Sequence, residues 1–226
     1  MKEIVIPPKV NIILEMLETE GYEAYIVGGC VRDILLGLIP KDWDIAASAI
    51  PEEIKRVFCE YKIVDKGERF GTIGVYEKQT PGGLYEITTF RRETSYNDGR
   101  HPAGVIFTEE VEEDLARRDF TINGMAFNEK RGLIDLFGGL DDLESGKIRV
   151  IGSPKKRFTE DGLRIVRAMR FASKFGFSIE KNTESAIYAF KDIAKRIASE
   201  RLSSEFEELI LGDFADEAIN RYGDVL

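Results

Sequence analysis

GGCVRDILLG at residues 28–37, followed closely by KDWDIA at residues 41–46, is the stretch on which the reading of this chain turns. AYIV (Ala24–Val27) runs into it as a short apolar strand, and Gly28–Gly29 close that strand before a helical pattern over Val31–Leu36. Glycines at such a junction let backbone N–H groups approach a phosphate, and a helix N-terminus favours negative charge. Arg32 follows three residues after Gly29 and could reach the same phosphate. Next comes a second strand, Asp42–Ala46. Asp42 and Asp44 flank Trp43, and on a strand residues i and i+2 share a face, with carboxylates about 7 Å apart. Trp43 is then expected to point into the core. Two such carboxylates can converge on hard divalent cations, and without a cation or an arginine between them they repel. The stretch is neither GxGxxG nor GxxxxGK[ST], so a dinucleotide fold and a P-loop find no support. A GG pair is also an ordinary tight turn, and Asp-x-Asp an ordinary surface pair, so the surrounding chain has to decide.

Upstream, Val10, Ile13, Leu14 and Leu17 recur at helical spacing and Gly21 ends that helix. Downstream come a Pro-started helix, Pro51–Phe58, and strand-like runs at Tyr61–Val64, Thr72–Tyr76 and Leu84–Phe90. Glu86 sits in the last run between Tyr85 and Ile87, and on a strand beside Asp42 and Asp44 it would complete a three-carboxylate cradle. Arg92–Gly104 is polar and turn-rich and reads as a loop. A short strand at Val105–Thr108 precedes a helical stretch through Asn128, and Leu133–Leu136 and Ile148–Ile151 are extended. From Pro154 onward the pattern is helical: Pro154–Phe175, Lys181–Phe190, Ser199–Leu211 and Ala215–Arg221. The expectation is an α+β protein, with a mixed-sheet head over residues 1–153 and an all-helical neck over 154–226.

Composition narrows the class. The chain has 226 residues, 43% hydrophobic and 32% charged, without a long apolar run, so a normal core forms and no spanning helix is expected. MKEIVIPPK is too short an apolar start for a secretory signal, and a cytoplasmic location is expected. Cys30 and Cys59 cannot make a disulfide framework and read as buried thiols. His101 is the single histidine and reads as a loop residue, which excludes a His-rich zinc site. A net charge of −9 disfavours whole-surface nucleic-acid binding. Lys147–Lys174 runs against that balance with nine basic and two acidic residues, so a local anion site and a solvated basic helix both stay open.

Taken together these segments resemble the polymerase-β-type nucleotidyltransferases, and more narrowly the class II tRNA nucleotidyltransferases (CCA-adding enzymes) and bacterial poly(A) polymerases. GGCVRD with DWD is similar to their GGxVRD…DxD signature. EITTFR (Glu86–Arg91), RRDFTINGMA (Arg117–Ala126), DLFGGLDDL (Asp135–Leu143) and EDGLRIVRAMRFASKFGF (Glu160–Phe177) follow in the family's order. The resemblance implies a polymerase-β-like head, catalytic Asp42, Asp44 and Glu86, and Mg²⁺ held by Asp42 and Asp44. It implies nucleotide contacts from Gly29, Arg32, Arg118, Asp161, Arg164, Arg167 and Arg170. It assigns a check of the ribose to Asp119 and Asn123, and a switch from C to A addition to the Arg92–Gly104 loop, whose DGRHP (Asp98–Pro102) matches.

The residues of the last motif support this. Asp161 and Arg164 are i, i+3 and so neighbours on a helix. A carboxylate that accepts and a guanidinium that donates match the amino group and ring nitrogen of cytosine or adenine. Arg164, Arg167 and Arg170 form a row at three-residue steps, with Ile165, Val166, Met169 and Ala172 on the opposite arc. Arginines in such a row suit a triphosphate.

The implied function is transfer of CMP and AMP from CTP and ATP to the tRNA 3′ end. An A-adding enzyme with a separate CC-adding partner, a poly(A) polymerase, and a catalytically silent RNA- or nucleotide-binding module are the alternatives. Oligomeric state is not legible. The family usually continues into helical body and tail regions. A truncated chain and a naturally short one are both consistent with an end at Leu226, and either predicts weak tRNA affinity.

Overall fold

The structure is a computed structural model describing residues 4–76, 83–94, 96, 103–194 and 197–225. The chain divides into two compact units. The first takes residues 1–94, 104–118 and 123–136, and the second takes 95–103, 119–122 and 137–226.

The first unit opens with α1 (Pro8–Thr19), whose Val10, Ile13, Leu14 and Leu17 are all buried, as the spacing predicts. It continues through β1 (Ala24–Val27), α2 (Gly29–Leu36), β2 (Asp44–Ala47), α3 (Pro51–Val57), β3 (Lys62–Gly67), β4 (Thr72–Tyr76) and β5 (Leu84–Thr89). A hairpin of β6 (Arg91–Glu93) and β7 (Val105–Phe107), then α4 (Val111–Ala116), β8 (Met125–Asn128) and β9 (Gly132–Asp135) complete it. Seven strands form one mixed sheet in the order β3-β4-β5-β2-β1-β8-β9. β2 and β5 are parallel, and the other pairs of this sheet are antiparallel. The parallel pair arises because the chain between them runs out through α3, β3 and β4 before β5 returns beside β2. β1 is buried along its whole length, the pattern of a central strand covered on both faces.

The second unit carries α5 (Gly139–Glu144), β10 (Lys147–Ile148), α6 (Pro154–Glu160), α7 (Leu163–Phe175), β11 (Ser178–Ile179), α8 (Lys181–Ala194), α9 (Ser199–Ile210) and α10 (Ala215–Tyr222). α7 lies at its centre, in contact with α8, α9 and α10, and buries Ile165, Val166, Met169 and Ala172. Phe120 joins this core, edge-on to Phe171 with ring centroids 5.7 Å apart. The mixed-sheet α+β class with a helical neck is the observed class.

Several local readings change. Residues 125–128 form strand β8 rather than the end of a helix, because pairing between β1 and β9 outweighs the helical-looking run. Asp42 precedes β2 instead of lying in it. Trp43 is only half-buried and Cys59 is exposed, so neither is a core residue. The stretch Pro154–Phe175 is two helices, broken at Asp161–Gly162. β11 adds a two-residue strand, paired in parallel with β10, to the otherwise helical neck. His101 and Asp98–Pro102 lie outside the described residues.

Candidate nucleotide site

Asp44 opens β2 and stands in register with Glu86 of parallel β5. Adjacent strands are about 4.8 Å apart, and residues in register point to the same face, so the two carboxylates stand side by side on one face at the leading edge of β2. Asp42 lies just before the strand and close enough to act on both. Desolvation pushes the Asp44 carboxyl above its ordinary range, Arg118 opposes the rise, and Asp42 adds to it. Glu86 is also raised, by desolvation and then by Asp44 and Asp42. Among the described residues, no three His, Cys, Asp or Glu are drawn close enough to form a ready metal cluster. The trio is a crowd of mutually repelling oxygen donors, and that donor chemistry fits a hard divalent cation.

The turn before α2 faces Arg118. Gly28 adopts φ 74° and ψ −125°, which favours glycine, and a Cβ there would lie 2.8 Å from Arg118 Nη1. Arg118 Nη2 donates to Asp114 Oδ2 at 3.0 Å, and Arg118 Nε is buried with no hydrogen-bond partner among the described residues. Arg32 is differently placed. It is 5% exposed, and its Nε and Nη2 donate to Asp33 Oδ1 while Nη1 donates to Asn123 Oδ1 at 2.6 Å. Gly29 lies beside that guanidinium, since a Cβ on it would be 3.5 Å from Arg32 Nη2. Arg32 and Asn123 are thus joined to each other inside the first unit.

In the second unit the break between α6 and α7 sets the other predicted residues. Asp161 ends α6 in an extended conformation, and its Oδ1 accepts from the Leu163 N–H at 3.1 Å. The expected i, i+3 pair on one helix is therefore a pair across an elbow, though the Arg164 N–H still donates to the Asp161 carbonyl at 3.2 Å. Gly162 makes the elbow possible, because a Cβ would fall 2.6 Å from Ile193 Cγ2. Asp161 also accepts from Arg201 Nη2 at 2.9 Å.

Arg164 is 8% exposed and donates through Nη1 to Glu160 Oε2 at 2.8 Å and to the Arg157 carbonyl at 3.1 Å. Burial alone would lower its pKa, but Glu160, Tyr96 and Asp119 carry it upward. Arg167 donates from Nε and Nη2 to Asp119 Oδ2 and from Nη1 to Glu205. Burial opposes its charge, and Asp119 and Glu205 hold its pKa up. Arg170 donates to Glu205 and lies 4.2 Å over the Phe171 ring. The row of arginines is thus a set of partnered groups rather than a bare basic face. The Lys147–Lys174 excess is offset locally, with Asp142 also taking Arg149.

Sequence reading missed Asp114, Glu160, Arg201 and Glu205. Two had a signal: Asp114 precedes Arg118 by four residues on a helical stretch, and Glu160 precedes Arg164 by four. Arg201 and Glu205 meet Asp161 and Arg167 only through tertiary packing, at separations of 40 and 38 residues.

Residues 24–149 match the sequence pattern described as "Poly A polymerase head domain". The chain belongs to the poly A polymerase head-domain family. Residues 176–222 match a second pattern, "Probable RNA and SrmB- binding site of polymerase A". This family member is 48% identical over 207 residues to a CCA-adding enzyme of Leuconostoc mesenteroides, a match covering 92% of this chain and 50% of the relative. Its fold is similar to the Bacillus stearothermophilus CCA-adding enzyme in complex with CTP, with TM-score 0.87 and 39% identity over 97% of this chain and 53% of that one. It is also similar to the Thermotoga maritima CCA-adding enzyme complexed with tRNA, with TM-score 0.80 and 32% identity over 97% of this chain and 52% of that one. The chain spans about half the length of the curated relatives it matches. Among the described residues, no helix is long and apolar enough to cross a membrane.

Proposed function

We propose that this chain carries the nucleotide-selecting and nucleotidyl-transferring part of a CCA-adding enzyme. It would add CMP and AMP from CTP and ATP to the tRNA 3′ end. The observation that carries the reading is the Asp44–Glu86 register, with Asp42 adjacent and Arg118 the cation acting on Asp44.

In this reading the 3′ oxygen attacks the α-phosphorus, the bond from that phosphorus to its bridging oxygen breaks, and pyrophosphate leaves. Asp42 and Asp44, with Glu86, would hold two Mg²⁺ ions, which supply acidification of the 3′ hydroxyl and charge neutralisation of pyrophosphate. Arg118, poised over Gly28, meets the phosphates at the start of α2. Arg32, bonded to Asp33 and Asn123 beside Gly29, would shape the site from within. Asp161 and Arg164 present an acceptor and donors to the base edge. Arg201 and Glu160 hold those groups in place by hydrogen bonds at 2.9 and 2.8 Å. Arg167 and Arg170, braced by Asp119 and Glu205, stiffen the helix that carries them.

The homologues named CCA-adding enzyme favour C-plus-A addition over A-only addition or poly(A) synthesis. The deciding experiment offers a tRNA ending before CCA with CTP alone, ATP alone, and both. A product extended by CCA only with both nucleotides is expected. Extension by ATP alone points to one of the two alternatives, and no Mg²⁺-dependent pyrophosphate release at all points to a silent binding module.

A further inference from the structure

The fully buried Asp114, on α4, has 0% exposure, and nothing in the implied chemistry uses it. Its Oδ1 accepts from Arg117 Nε at 2.9 Å and Nη2 at 2.7 Å, and its Oδ2 accepts from Arg118 Nη2 at 3.0 Å. The Arg91 backbone N–H points at Oδ1 from 3.4 Å. Burial alone would raise such a carboxyl, but Arg118 and Arg117 hold it below the ordinary range, so it stays charged.

The two arginines are not equivalent. Arg117 gives two nitrogens to Asp114 and a third to Glu93 at 3.3 Å, and is spent inside the fold. Arg118 gives Asp114 one nitrogen only. Its Nη1 lies over Gly28, its Nε has no hydrogen-bond partner among the described residues, and its charge acts on Asp44. A guanidinium is a rigid planar fork, so anchoring one end fixes where the other end points.

We propose that Asp114 is a positioning residue for nucleotide binding, aiming Arg118 at the turn between β1 and α2. The proposal rests on the nucleotidyltransferase reading and adds to it a residue that touches no substrate itself.

The test is a cycle of calorimetric titrations of the whole chain with CTP in Mg²⁺, using wild type, Asp114→Asn, Arg118→Gln and the double variant. Melting temperature is read separately, so that loss of structure is not counted as loss of coupling. Asp114→Asn is expected to weaken CTP binding by about tenfold or more, the scale of a lost charge-assisted hydrogen bond. The double variant should bind no worse than Arg118→Gln, because Asp114 acts only through Arg118. In steady-state transfer the loss should appear in KM for CTP.

Unchanged affinity in Asp114→Asn, or a double variant weakened by the product of the two single effects, overturns the proposal. If Asp114→Asn fails to fold, Arg118→Lys decides. Lysine keeps the charge but cannot hold Asp114 and reach over Gly28 at once, so a loss like that of Arg118→Gln supports the proposal and wild-type affinity overturns it. A wild-type chain that binds no nucleotide overturns both this proposal and the reading beneath it. A binding-competent wild type beside an unaffected Asp114→Asn overturns this proposal alone.

Discussion

The carboxylate edge of the first unit and the α6–α7 elbow of the second handle charge in opposite ways. At the edge, Asp44 and Glu86 face each other across parallel strands beside Asp42, and their carboxyls are pushed upward. No side-chain hydrogen bond or ion pair reaches any of the three among the described residues. At the elbow, Asp161, Arg164, Arg167 and Arg170 each have a charged partner: Arg201, Glu160, Asp119 and Glu205 respectively. The contrast separates two kinds of readiness. Under the proposed function, the acidic cluster would keep a repulsion that a cation relieves on binding, and the elbow would use its ion pairs to hold donors and acceptors still for a neutral base edge.

The comparison breaks most sharply at the acidic edge. Asp42→Ala or Asp44→Ala is expected to abolish Mg²⁺-dependent pyrophosphate release while circular dichroism and melting stay those of a folded chain. Turnover near wild type would remove the edge from the mechanism.

At the elbow the largest effect should be on stability instead. Arg164→Met leaves half-buried Glu160 with Arg157 but one partner fewer, and about 2 kcal/mol of stability should be lost, measured by urea unfolding. A change under about 1 kcal/mol would mean that the elbow is not held by its ion pairs.

A smaller effect is expected at Gly28→Ala, which combines a left-handed φ with a Cβ against Arg118 Nη1. Roughly 1–2 kcal/mol of backbone strain should appear as a lower melting temperature, with weaker CTP binding as Arg118 is displaced.

The smallest effect carries the sign of the contrast. Because the folded-state pKa of Glu86 is raised, its contribution to stability is present at low pH and lost as pH rises through that pKa. Glu86→Gln should therefore raise the melting temperature slightly at pH 7, with the gain vanishing near the unfolded-state value of about 4.3. Asp114 has the opposite sign. Its pKa is lowered, so its contribution is present above the unfolded value of about 3.9 and lost as pH falls below it.

What could be read in advance follows the range of the forces involved. The α1 stripe, the Gly28–Gly29 turn, β4 and the alternation around Glu86 depend on neighbours a few residues away, and each appears where periodicity places it. β8 escaped because a strand's identity there depends on β1 and β9 beside it, and Thr121–Asn128 has no strong alternation of its own. The break at Gly162 was hidden inside an otherwise good helical run. Asp161 is extended there, and Gly162 is tolerated beside it because only a residue without a Cβ clears Ile193 on α8. Arg32 shows the same limit at a single side chain: nothing in its motif announces Asn123, 91 positions along the chain, whose Oδ1 accepts from its Nη1 at 2.6 Å.

The amino-acid sequence alone determined the chemistry available to this protein: which residues are acids, arginines and glycines, and in what order they occur. Spacing along one chain was enough for that, because helices and strands impose periods of only a few residues. Tertiary structure decided which of those charges meet. Asp44 faces Glu86 only because β5 returns parallel to β2, and Arg201 reaches Asp161 although the two are 40 positions apart in the chain. Electrostatic energy depends on distance through space, and separation along the sequence does not set that distance.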